Sequence, residues 1–179
     1  TVSGNTFTSA GAPGTAVLRV KNNYNGINHQ ITNNTFTGFD WGVSLENMNN
    51  VSLDNNTFTG NASTDRHIHI NTKSISSNSN TIVQVALGAS LTNNNFNGQG
   101  TAITFANHDS DNDSYGSIVL GTGGNENEFA STLNSFVEFD GQTGTSTGST
   151  FPTYPGTGGW PTTMACWDQN LDAKNNKFD

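Results

Sequence analysis

The chain has 179 residues, the length of one ordinary domain, with a formal charge of −8 and only six Lys and Arg. A phosphate-binding surface needs clustered cations to release counterions, so nucleic acid is excluded as a partner; no apolar run approaches the roughly 20 residues of a membrane span. Charged residues make up 11% and hydrophobic ones 31%, so solubility rests on neutral amides and hydroxyls. Yet aromatic and β-branched residues recur at regular places, which a disordered chain does not show.

In chain order, one phrase returns six times: Asn5-Thr6-Phe7, Asn34-Thr35-Phe36, Asn56-Thr57-Phe58, Asn94-Asn95-Phe96, Asn127-Glu128-Phe129 and Asn176-Lys177-Phe178. Short alternating runs precede the phenylalanine, as in Val51-Ser52-Leu53-Asp54, Leu91-Thr92 and Leu171-Asp172-Ala173. Others follow it: Ala16-Val17-Leu18-Arg19-Val20, Trp41-Gly42-Val43-Ser44-Leu45, His67-Ile68-His69-Ile70, Ala102-Ile103-Thr104-Phe105, Val137-Glu138-Phe139 and Met164-Ala165-Cys166-Trp167. A period of two marks half-buried strands, and no stretch offers a helical period. The chain reads as all-β.

Strands this short cannot close a core alone, and an internal repeat of this size is the mark of a solenoid. Stacked as coils of a single-stranded parallel β-helix, each repeat buries its inward residues on its neighbours. The handedness expected is right, as for nearly all parallel crossovers. About six coils are expected over one domain, 1–179. The 22 residues from Phe36 to Phe58 define a bare coil, and the other spacings of 29, 38, 33 and 49 require inserts. These fall at 9–13, 61–65, 74–89 and 108–117, with the longest a Gly-, Thr-, Pro- and aromatic-rich loop at 142–161. Asn suits sharp left-handed corners and can form an amide ladder. Phe would stack in the core. The chain opens in mid-repeat, so it is expected to be a piece of a longer protein, with flanking coils as neighbours. A composition rich in Asn and Thr and poor in Lys suggests an extracellular or cell-surface setting.

The run Val51-Ser52-Leu53-Asp54-Asn55-Asn56-Thr57-Phe58-Thr59-Gly60 resembles the parallel β-helix repeat of the pectin-lyase-like superfamily. The resemblance covers most of 1–140 and resumes at 171–179. The stretch from Asn170 to Phe178 is similar to a closing repeat of large bacterial surface and secreted β-helix proteins. The resemblance implies the fold; lyases, hydrolases, epimerases, phage tailspikes and adhesins all share it, so it does not choose a function. The lyases of this fold imply calcium-binding acids beside a Lys or Arg base. The hydrolases imply aspartates on consecutive coils, for which Asp40, Asp65 and Asp140 stand in roughly comparable places.

Four groups of residues carry candidate chemistry. In Asp65-Arg66-His67-Ile68-His69, inward Ile68 and Ile70 would send His67 and His69 outward. Ser44, His69 and Thr104 would then form one row, Gly42 and His67 the next, with Glu46 at a strand end. Arg66, His67, His69 and Glu46 could bind a sugar, act as acid and base, or contribute metal ligands; the plain alternative is a solvated polar face. Asp109, Asp111 and Asp113 alternate as carboxylates do in a calcium loop, although Ser114 replaces the expected glycine. Thr6/Thr8, Thr35/Thr37 and Thr57/Thr59 would flank inward phenylalanines as a flat threonine array. Such arrays resemble the ice-binding face of some β-helical antifreeze proteins, and threonine is also simply a good strand residue. Tyr154 and Trp160, in the long loop, and Trp41 offer stacking platforms for sugar rings. The leading expectation is a non-catalytic module of a larger surface or secreted protein that contacts a cell-surface glycan or other polysaccharide. A polysaccharide lyase or glycoside hydrolase is the first alternative, and ice binding the second.

Overall fold

The computed structural model describes residues 1–9, 15–23, 28–48, 50–72, 75–76, 82–83, 89–107, 118–141, 171–172 and 176–178. Among them the strands fall into a repeating order of three. The first coil runs through β1 (Val2–Ser3), β2 (Thr6–Thr8) and β3 (Ala16–Asn23); the second through β4 (His29–Thr32), β5 (Thr35–Thr37) and β6 (Trp41–Met48). The third comprises β7 (Val51–Asp54), β8 (Thr57–Gly60) and β9 (Arg66–Thr72). A short antiparallel pair, β10 (Ile75–Ser76) and β11 (Ile82–Val83), follows it. The fourth coil has β12 (Ala89–Thr92), β13 (Asn95–Gly98) and β14 (Thr101–Asn107), and the fifth β15 (Ile118–Leu120), β16 (Glu128–Phe129) and β17 (Ser135–Gly141). A sixth contributes β18 (Leu171–Asp172) and β19 (Lys177–Phe178).

Three parallel sheets result. The first stacks β1, β4, β7, β12, β15 and β18; the second β2, β5, β8, β13, β16 and β19; the third β3, β6, β9, β14 and β17. The protein is an all-β parallel solenoid, as the repeat predicts. The insert expected at 74–89 is shorter by one residue, because Ala89 already opens β12.

Register explains why the repeat works. In the first sheet Val2, Ile31, Leu53, Leu91 and Leu120 lie in one inward column. In the second the six repeat phenylalanines are in line, Phe7 to Phe178. Neighbouring rings sit 4.8–5.3 Å apart, between 6° and 18° from parallel. The third sheet aligns Leu18, Val43, Ile68, Ile103 and Val137. Phe36, Phe58, Leu53, Ile68 and Ile103 are fully buried, and burying a side chain of this kind contributes about 1.5–3 kcal/mol.

The asparagines of the four middle triplets, Asn34, Asn56, Asn94 and Asn127, are buried too, and the triplet asparagines form the expected ladder. Asn5 Nδ2 donates to Asn34 Oδ1, Asn34 to Asn56, Asn56 to Asn94, Asn94 to Asn127 and Asn127 to Asn176, over 2.9–3.1 Å. Each acceptor oxygen also takes the backbone N–H of the asparagine one coil back, as Asn56 Oδ1 does from Asn34. The second Nδ2 hydrogen returns to a carbonyl of the preceding coil, from Asn56 to Ile31 and from Asn94 to Leu53. Two donors and two lone pairs are thereby used at every inner rung, which is why a primary amide is tolerated in the core.

One expectation needs correction. The left-handed corner is not made by the triplet asparagine but by the residue before it: Gly4, Asn33, Asn55 and Asn93 have φ of 71°, 58°, 54° and 54°. Two adjacent asparagines therefore divide the labour, one turning the chain and the next stitching the coils.

Candidate functional site

The outward face of the second sheet follows from the inward phenylalanines, since alternate side chains of a strand point to opposite sides. One outward row holds Thr6, Thr35, Thr57, Asn95, Glu128 and Lys177, and the other Thr8, Thr37, Thr59 and Asn97. Rows repeat about every 4.8 Å across strands and about 7 Å along them. Thr6 and Thr8 are exposed and the next six side chains half-buried. Hydroxyls are close enough to couple, with Thr8 Oγ1 and Thr37 Oγ1 3.3 Å apart. From coil one to coil four the two rows carry only hydroxyls and amides. Charge enters above them, where Lys177 pairs with Glu128 at 3.2 Å.

The outward face of the third sheet is different. Ser44, His69 and Thr104 do form one row in register, as expected. Solvent does not reach it: Ser44 and Thr104 are fully buried and His69 is 2% exposed. Trp41 stacks on the His69 ring, with centroids 4.2 Å apart and planes 28° from parallel, and the Arg66 guanidinium lies 5.6 Å over the same indole. Trp41 and Arg66 are half-buried. Glu46 is held by Arg19 of the coil below, and accepts a 3.4 Å hydrogen bond from Ser44. Thr101 donates to Glu138 over 3.0 Å. Thr104 Oγ1 is buried with no hydrogen-bond partner.

His67 overturns its expectation. It does not project outward beside His69 but lies against the phenylalanine stack, fully buried. Its ring is 6.2 Å from Phe58 and 5.9 Å from Phe96, and Phe39 meets it edge-on at 5.2 Å. Nε2 is 2.9 Å from the Gln99 carbonyl, so Nε2 carries the proton and Nδ1, with no partner, does not. Burial lowers its pKa to about 4, against weaker opposing effects of the Gln99 carbonyl and Asp65. The cause is a break in alternation: Ile68 also faces the core, so two successive residues point inward where the chain turns into β9. A signal for this was present in the neighbouring coils. The residues aligned with His67 are Gly42 and Ala102, small enough to leave room for a ring, and both are buried.

Asp65 is also structural. Its carboxylate accepts from the N–H groups of Asn61 and Ala62 at 2.7 and 2.9 Å, closing the 61–65 turn, and it is 5% exposed. Asp40 sits at the entrance to β6, where its carbonyl receives the Arg66 N–H. Asp109, Asp111, Asp113, Tyr154 and Trp160 lie outside the described residues. Among the described residues no cluster of three His, Cys, Asp or Glu side chains could hold a metal ion, and no helix is long and apolar enough to cross a membrane.

Comparison of the chain with family models, curated proteins and solved structures gave no match.

Proposed function

We propose that the chain is a binding module of a larger extracellular or cell-surface protein, non-catalytic, which contacts an uncharged polysaccharide through the outward face of the second sheet. One observation carries this reading: the threonine and asparagine rows stack in register across four coils. Hydroxyls and amides both donate and accept, so such a face can exchange its bound water for the hydroxyls of a neutral glycan. Its lack of cations gives no attraction to phosphate or sulfate esters. A long face of weak, equivalent contacts suits an extended polymer, since many small terms then add along one ligand.

The same array supports ice binding as a second reading, because the paired threonines recur at fixed intervals over three coils. A co-sedimentation assay on insoluble neutral polysaccharides, run beside thermal hysteresis and reducing-end release, separates the readings. Retention that is lost in a Thr37→Val/Thr59→Val double variant supports the glycan module. Hysteresis without retention supports ice binding. Release of reducing ends, lost on Arg66→Ala or His69→Ala substitution, would overturn the non-catalytic reading in favour of a polysaccharide-cleaving enzyme.

A further inference from the structure

We propose that His67 is an acid-sensitive joint between the third and fourth coils, holding them together while neutral and releasing them locally when protonated. The imidazole belongs to β9 on the third coil, and Nε2 hydrogen-bonds to the Gln99 carbonyl on the fourth, over 2.9 Å. Phe58 of β8 and Phe96 of β13 lie beside it, so the same ring touches the aromatic stack on both coils. Space at this joint is tight. A Cβ on Gly60 would meet the Gln99 carbonyl oxygen and come within 2.7 Å of His67 Nε2. Gly98 approaches the Gly60 carbonyl so closely, at φ +78°, that only glycine fits.

A proton can add only at Nδ1, which is buried and has no partner. The new N–H would find no acceptor, and the cation would sit among phenylalanine rings. Both penalties are relieved if the corner at Gln99 and Gly100 swings away and admits water. The groups packed around the ring offer little compensation. Phe39, Phe58, Gly60, Phe96, Gln99 and Ala102 carry no titratable group. Among the described residues Asp65, two residues back, is the charge that favours protonation, and its carboxylate is engaged by Asn61 and Ala62. The guanidinium of the adjoining Arg66 lies over Trp41. The pKa lowered to about 4 is consistent with this geometry.

The strands loosened by opening, β8 and β13, also carry Thr57, Thr59, Asn95 and Asn97. On the proposed reading of that face, acid would therefore also weaken ligand contact, but the joint itself is tested without a ligand. Native-state hydrogen exchange of the whole chain, corrected for intrinsic rates, would be compared at pH 7.5 and pH 5. For a group titrating near 4 when closed and near 6.5 when open, the linkage relation predicts about 30-fold loss of protection at pH 5. The loss should be centred on the Gln99 and Thr101 amides, and on those of β8 and β13, with the Thr35 and Phe36 amides changing far less. His67→Gln, which keeps a donor for Gln99, should remove the pH dependence. An equal dependence in that variant would overturn the proposal. If the variant does not fold, an NMR titration of the wild-type His67 ring decides: a midpoint near or above 6.5 in the folded protein sinks the joint, and one near 4 sustains it.

Discussion

The outer faces of the second and third sheets are built on the same coils, yet they differ in almost every physical respect. The second is open, uncharged over four coils and repetitive. The third is sealed from solvent over Ser44, His69 and Thr104, carries Arg19, Glu46, Arg66 and Glu138, and never repeats a residue in its rows. The two histidines that look most chemical in the sequence are thus buried, while the plain Thr-Phe-Thr repeat provides the surface. Candidate sites in a solenoid are better ranked by which face they occupy than by the reactivity of their side chains.

The amide ladder stitches together the coils that carry both faces, so losing one of its rungs should have the largest effect. Asn56→Ala should strand the Asn34 N–H and Nδ2 and the Ile31 carbonyl, and lower stability by about 4 kcal/mol. Chemical denaturation would measure it, and a loss below about 1 kcal/mol would show that the ladder is incidental. Acidification comes next. Because the pKa of His67 is lowered in the fold to about 4, the unfolded chain binds the proton first. The stabilising preference for neutral imidazole is complete above pH 6.5 and is lost as pH falls from there through 4, amounting to about 3 kcal/mol. Denaturation midpoints of the wild type and His67→Gln across that window would test the sign and the size.

Smaller effects separate the two faces from each other. Thr104→Val removes a buried hydroxyl without a partner and should raise stability by about 1 kcal/mol. An unchanged or lowered midpoint would mean that this face is not as dry as its burial implies. Thr59→Val, on the open face, should leave the denaturation midpoint within about 0.5 kcal/mol of the wild type while weakening retention on neutral polysaccharide. A variant as retentive as the wild type would remove that threonine from the contact.

Much of the fold was legible because the signals reinforce one another. Asn-x-Phe returns with its flanking period of two, and Ile68 falls between Val43 and Ile103 as that period requires. The rows of the candidate surface follow from the same register. His67 was not legible from its own strand, because alternation counted back from Ile68 and Ile70 assigns it to the outside; only the small Gly42 and Ala102 level with it carried a signal. Only the start of β9 turns two successive residues inward, and that break in alternation leaves no mark within the strand's own sequence. The split between Asn33 and Asn34 was equally hidden, since both positions of the doublet accept asparagine for different reasons. Burial of Ser44 and His69 escapes any pattern of one strand, because it depends on the whole fold.

The amide ladder also has a direction. Every rung donates from one coil to the next in chain order, so all the side-chain dipoles point the same way along the solenoid axis. Aligned dipoles polarise one another and strengthen each link, giving the protein an electrical axis through its interior that no formal charge announces. A carboxylate in place of one rung would keep both acceptors and lose both donors, breaking the line at that point by setting oxygen against oxygen. The single-atom change from Asn94 to Asp should therefore be felt at Asn56 and Asn127 alike.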